Sequence, residues 1–388
     1  MSNGSESPRF SQPTTDASRY PCKQCGARLE FAPGTDHLTC PYCGCMNEIG
    51  GVPKADEAGN EAARNGAAQV GVREIDYLTT LRDLSEHAET FERMTVTCGA
   101  CAAEIAAPEN VTSFSCPFCG SNIVATAHAS TLIKPNAVLP FKLTREAAVG
   151  KFREWLKSLW FAPTLLKSDG FLDASFSGVY VPAWTYDADT RTRYTGQRGD
   201  AYYETQWVTV NGQKQARQVR KIRWSPAAGV VETSFDDVLV MATKSLREDH
   251  LESLDPWSLP ELVAYRDEYL AGFKAECYTV TLEQGFVEAK ERMRPRIESV
   301  VCGDIGGDEQ RISSMDTSYS GVTFKHILLP VWLSAYRFRN TVYRFMVNAR
   351  TGEIVGERPY SPVKITLFVL MCLVVVGVIV VIAMAGSK

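Results

Sequence analysis

The sequence predicts an α+β chain: two small cysteine-built modules, a larger domain of antiparallel sheet and helix, and one long apolar helix. Three observations carry this prediction. Eight cysteines fall into two sets of paired C-x-x-C motifs, with a constant offset of 76 positions between the sets. Residues 131–360 hold extended runs with turn signals, interrupted by two capped helical stretches. Residues 365–385 run for 21 positions without a charge.

At 388 residues, 45% hydrophobic and 22% charged, the chain has ordinary globular composition and room for two or three domains. A net charge of -4 argues against a general polyanion binder. Residues 1–19 are rich in Ser, Thr and Pro and lack the apolar core of a signal peptide. They are expected to be a disordered lead.

The first cysteine set is Cys22, Cys25, Cys40 and Cys43; the second is Cys98, Cys101, Cys116 and Cys119. Four thiolates in two C-x-x-C pairs match a tetrahedral zinc site. A redox dithiol is the alternative chemistry for such a pair. Gly44 and Gly120 follow the second pair of each set, where a positive φ lets backbone N–H groups face the sulfurs. Leu29 and Leu38 recur as Ile105 and Phe114 at the same offset, as the apolar residues of a small hairpin beside the metal. Zinc ribbons are therefore expected at 20–50 and 94–126. Modules this small bury too little surface to fold unaided, so the two Zn2+ ions are read as structural. Cysteine fills all four positions, leaving no open site for a catalytic water. Cys45 is a fifth thiol nearby, either a substitute ligand or a spare small side chain. Neither ribbon is basic, which disfavours phosphate binding and favours protein contacts.

Between the ribbons, residues 51–73 are rich in Ala and Gly and read as a flexible linker. Residues 74–93 are expected to form an amphipathic helix, with Tyr77, Leu81, Leu84, Ala88 and Phe91 in one stripe. That stripe packs either on the second ribbon or the following domain, or on a partner as a short coiled coil.

In the 131–360 domain, Thr144 caps a helix over 144–160 whose apolar face is Phe152, Trp155, Leu156 and Leu159. Thr281 and Gln284 form a capping box for a second helix, which Pro295 kinks or ends. Asn211-Gly212 marks one hairpin, and residues 343–356 a second with its turn near Asn348 to Gly352. Val181-Pro182-Ala183-Trp184 echoes Leu329-Pro330-Val331-Trp332, each after a Thr-capped helix. The domain is therefore expected to be α+β, built from two repeated units, with both tryptophans in the core. Proline in a strand points to an edge or a bulge. Residues 190–224 are basic and aromatic (Arg217, Arg220, Lys221, Arg223, Tyr203, Trp207), a face for nucleic acid, for lipid or a partner, or simply for solvent.

The apolar run 365–385 is long enough for a transmembrane helix of about 30 Å. With only Gly386, Ser387 and Lys388 after it, the chain reads as tail-anchored. Arg358 and Lys364 place the bulk of the chain on the cytoplasmic side. No phosphate loop, H-E-x-x-H or G-x-S-x-G motif occurs, and the five histidines are scattered. Catalytic residues and small-molecule cofactors are expected to be absent.

The paired C-x-x-C and C-P-x-C-G ribbons, "LLPVW" at 328–332, "NARTGEIVGERPYS" at 348–361 and the closing apolar run together resemble a family of bacterial membrane-anchored double zinc-ribbon proteins of the TFIIB type. Some members are named primosomal protein N-prime, superfamily II helicase. Both motor motifs of a helicase are missing here. The resemblance implies that the eight ribbon cysteines bind zinc and that the protein sits in the inner membrane. It further implies an adaptor for protein partners such as SPFH-type or phage-shock scaffolds, in membrane stress. A membrane-tethered nucleic-acid protein of replication is the alternative.

Overall fold

The computed structural model describes residues 21–49, 72–86, 90–100, 103–106, 113–118, 121–124, 128–163, 176–210, 213–338 and 341–386. The expected disordered lead, most of the expected linker, and the residues Ala88, Cys101, Cys119, Gly120, Asn211 and Gly212 lie outside them.

Three very long strands organise the chain: Ser177–Val210, Gln213–Met241 and Glu309–Phe338. The first pairs antiparallel with both others and so sits between them. Thr341–Asn348 continues from the third strand as a hairpin, and Ile354–Gly356 pairs with it in turn. Gly352, at φ 80°, closes the turn the sequence predicts there. The sequence predicts an antiparallel sheet, and the structure corrects this in part. Two short strands join it in parallel: Ala137–Val138 beside Ile327 and Leu328, and Lys274–Ala275 beside Val179 and Tyr180.

These two additions reveal the internal relation between the repeats. Val181 pairs with Leu329, the residue at the same place in the second V/L-P-A/V-W segment. A local two-fold therefore passes through this pair, and the hydrogen bonds obey it. The Leu139 N–H donates to Leu328 O, and the Glu276 N–H to Tyr180 O, both at 2.9 Å. The Ala242 N–H reaches Pro182 O at 3.0 Å, and the Ala349 N–H reaches Pro330 O at 3.1 Å. Both prolines occupy the point where the neighbouring strand changes. A missing N–H costs no ladder bond there, and the proline carbonyl is still used. The sequence rule of an edge or a bulge is corrected accordingly: these prolines lie mid-sheet, at a switch of partner.

Helix α1 covers Tyr77–Glu86, α2 Arg145–Ser158, α3 Glu248–Glu252, α4 Leu282–Ile305 and α5 Pro362–Gly386. Thr144 accepts from the Ala147 N–H, and Thr281 with Gln284 forms the complete capping box. Pro295 does not end α4, which continues ten residues beyond it to Ile305. The buried residues of the two helices correspond: Ala148, Phe152 and Leu156 match Gly285, Ala289 and Met293 in place after the cap.

The tryptophans cross over between the repeats. Trp184 Nε1 donates to Val280 O, just before the Thr281 cap of α4. Trp332 Nε1 donates to Leu143 O, just before the Thr144 cap of α2, also at 3.0 Å. Each indole thus holds the start of the other repeat's helix. A Cβ on Gly285 would lie 2.9 Å from Trp184 Cδ1 and 2.5 Å from the Tyr186 hydroxyl, so this close approach requires glycine. Both tryptophans are buried, as expected.

The expected helix over 74–93 is shorter. α1 ends at Glu86, and Phe91 belongs to the strand Thr90–Thr97, which pairs with His128–Ile133. The β-branched and aromatic content of 90–97 suits a strand, and pairing with 128–133 overrides the helical stripe. The second ribbon module therefore extends beyond its expected limits of 94–126. Tyr77 packs against Phe286, ring centroids 4.8 Å apart, so α1 docks on the main domain.

Alternating strand residues split the core. Val179, Val181, Ala183, Ile327, Leu329 and Val331 meet the second ribbon module through Val96, Ile105, Cys116 and Phe118. On the other face, Tyr180, Leu328 and Trp332 meet α2 and the first ribbon module through Leu29, Phe31 and Leu38. The two cysteine modules thus pack against opposite faces of one sheet.

Candidate metal centre

The first module is a small sheet of Glu30–Phe31, His37–Thr39 and Met46–Glu48. It is anchored on the domain by the Phe31 N–H to Ala271 O and the Gly34 N–H to Phe141 O. Its two cysteine turns have one geometry. The Cys22 N–H bonds Ala27 O and the Gly26 N–H bonds Cys22 O; the Cys40 N–H bonds Cys45 O and the Gly44 N–H bonds Cys40 O. Gly26 and Gly44 stand at φ 71° and 70°. Gly44 was expected from the sequence; Gly26 was the missed counterpart, and its place directly after Cys25 was the available signal.

These turns bring Cys22, Cys25, Cys40 and Cys43 together, all Sγ atoms lying within 4.8 Å of one another. Cys22 and Cys43 Sγ are 3.5 Å apart, as are those of Cys25 and Cys40. A tetrahedron with zinc–sulfur bonds of about 2.3 Å has edges of about 3.8 Å, so four sulfurs at these spacings fit a zinc ion. The electrostatics favour thiolates at two of the four positions. The Cys25 and Gln24 amides bring the Cys22 thiol down to about 6, and the Cys43 amide lowers that of Cys40, whereas burial and the neighbouring sulfurs raise Cys25 and Cys43 in the absence of a cation. Cys22 and Cys40 are buried, whereas Cys25 and Cys43 are exposed. Cys45 is not part of the cluster; its Sγ faces Met46 O at 3.8 Å and Asn47 Nδ2 at 3.9 Å.

The second module repeats the turn at both described cysteines. The Cys98 N–H donates to Ala103 O at 2.9 Å and the Cys116 N–H to Ser121 O at 2.8 Å. Both are buried, like Cys22 and Cys40. Their expected co-ligands Cys101 and Cys119 lie outside the described residues.

One further group was not legible in the sequence. Asp187, Asp236 and Asp237 cluster within metal-ligand spacing. Lys325 occupies that place: its Nζ lies 2.6 Å from Asp237, 3.7 Å from Asp187 and 3.3 Å from Glu74, with its side chain only 3% exposed. These carboxylates outweigh burial and hold the ammonium charged. Asp237, at φ 52°, is kept there by its own N–H to Asp187 Oδ1 at 2.6 Å. This is a half-buried ion cluster on the sheet, built around the buried Lys325 ammonium as its cation.

The basic segment 190–224 lies on the two long strands. The third strand pairs only as far as Gly199 with Glu309, so residues 200–210 and 213–223 form a two-stranded ribbon projecting by roughly 30 Å. Arg220 pairs with Glu309, Lys221 with Glu204, and Arg191 with Glu232; the Arg223 guanidinium lies 5.3 Å from the Tyr202 ring centroid.

Residues 94–128 match the family described as the FORGETTER1 second zinc ribbon domain. Over 353 residues the chain is 26% identical to the uncharacterized protein YdjG of Bacillus subtilis (strain 168), covering 89% of this chain and 91% of that protein. No solved structure matches. The family match and the four-thiolate cluster together point to zinc binding.

Proposed function

We propose that the chain is a non-enzymatic adaptor anchored in the membrane by α5, with two structural zinc ions. Cys22, Cys25, Cys40 and Cys43 hold one ion; Cys98, Cys101, Cys116 and Cys119 hold the other. The bulk of the chain lies on the cytoplasmic side of the inner membrane, where the ribbons dock protein partners. Partners in keeping with the family resemblance are SPFH-type or phage-shock scaffolds active in membrane stress.

One observation carries the proposal: the first metal centre combines a rigid root with an exposed apolar rim. Tyr42 and Met46 are 83% and 68% exposed, while Leu29, Phe31 and Leu38 tie the module to the core. Large exposed apolar side chains on a rigid support are suited to a protein contact. Helix α5 is apolar and exposed throughout its described face, long enough to cross a bilayer. Purification of the full chain from membranes, with and without Tyr42→Ser and Met46→Ser, tests the docking surface. Loss of a co-purifying protein in the variant, with zinc content retained, supports it; an unchanged set of bound proteins refutes it.

A second reading, nucleic-acid binding, draws on the projecting ribbon with Arg217, Arg220 and Arg223 beside exposed Tyr203 and Trp207. It requires DNA binding that weakens steeply with salt. The ion pairs of Arg220 and Lys221 with Glu309 and Glu204 already use part of that charge, which favours the adaptor.

A further inference from the structure

The turn after α2 is built unlike an ordinary helix end. Leu159 and Ala162 are buried in the core shared with Phe152, Trp332 and Phe345. Between them Trp160 is 74% exposed. The turn is bonded to the start of α5 at several points. The Ser361 N–H donates to Phe161 O at 2.8 Å. Lys364 Nζ donates to Ala162 O at 2.8 Å and Trp160 O at 3.3 Å. The Phe161 and Phe368 rings meet edge-on with centroids 5.4 Å apart. Phe368 lies about 6 Å along the helix beyond Lys364, inside the uncharged run. Just before α5, the Arg358 guanidinium lies 5.5 Å from the Tyr360 ring, and Tyr360 is exposed.

We propose that the 159–162 turn is a membrane-interface foot: Trp160 inserts among the lipid headgroups of the bilayer that α5 crosses, and holds the cytoplasmic domain in one stance. The proposal rests on the reading of α5 as a span. Phe161 touches α5 at a level within the hydrocarbon, so its neighbour Trp160 stands at the boundary, where an amphipathic indole is most favourable. Lys364, which on a free helix extends to the headgroups, is instead committed to two carbonyls of the foot. Leu159 and Ala162 transmit that position rigidly to α2 and the core, so the domain does not swivel on the helix.

The test uses the full chain in nanodiscs of phosphatidylcholine with and without bromine on the upper acyl carbons, comparing the native sequence with Trp160→Phe. Subtracting the two emission spectra isolates Trp160. The expected result is a blue-shifted difference spectrum that loses intensity in brominated lipid and resists aqueous iodide. A difference spectrum typical of water, quenched by iodide and indifferent to bromine, overturns the foot. Carbonate extraction of native membranes separates the two failures. Protein that resists extraction but shows a water-exposed Trp160 refutes the foot alone; protein released by carbonate refutes the span and the foot together.

Discussion

Glu276 lies fully within the core, where burial raises its pKa to about 8, against the lowering pull of Ser245 and Thr243. Its Oε1 accepts from the Thr243 hydroxyl at 2.7 Å. The native state therefore keeps its proton to about pH 8, while the unfolded chain loses it from about pH 4.5. Stability falls as pH rises through that window, because the unfolded state binds fewer protons. Glu276→Gln is expected to flatten the decline between pH 5 and 8, as read from urea midpoints across pH. His326 works at the opposite limit. Burial lowers it to about 4, with Nδ1 3.0 Å from Ile133 O. The unfolded chain takes up that proton below about pH 6.5, so stability falls as pH drops from there towards 4. His326→Gln is expected to reduce the acid sensitivity. Neither group was singled out in the sequence, since a lone Glu or His shows nothing of its burial until the sheet closes over it.

At the level of elements, the capped helices and the crossing indoles bear most on order. Thr281→Ala removes one half of the capping box and is expected to cost about 1 kcal/mol in chemical denaturation. Thr144→Ala removes a cap bond of the same 3.3 Å length, from the Ala147 N–H, and is expected to cost about as much. Trp332→Phe removes the donor to Leu143 O, strands a carbonyl and leaves space beside Phe141. A loss of about 2–4 kcal/mol is expected, matched by Trp184→Phe at the equivalent place. Unequal losses would show that the repeats are symmetric in geometry but not in energy. Both caps were readable because capping depends on residues three apart in the chain. The extent of α1 was not: a helical stripe and a strand-forming run overlapped at 88–93, and a strand forty residues away decided between them.

For the whole molecule, the two cysteine modules lie on opposite faces of a sheet that folds around its own two-fold pair, Val181 with Leu329. Chelation of zinc is expected to release residues 22–49 to rapid amide exchange, since that module's sulfurs replace the core it lacks. The central pairs at 179–184 and 327–332 should remain protected; their loss would mean that the metal also holds the domain. Spacing alone placed the cysteine pairs, because a metal's bond lengths and angles are imposed locally, within a turn of a few residues. The apolar run and the helix caps were determined in the same local way. The crosswise docking of Trp184 and Trp332, the Lys325 cation seated against Asp187, Asp237 and Glu74, and the attachment of the 159–162 turn to α5 were decided only by tertiary structure. Each joins residues far apart in the chain, and a contact of that kind leaves no periodicity or spacing in the sequence from which to read it.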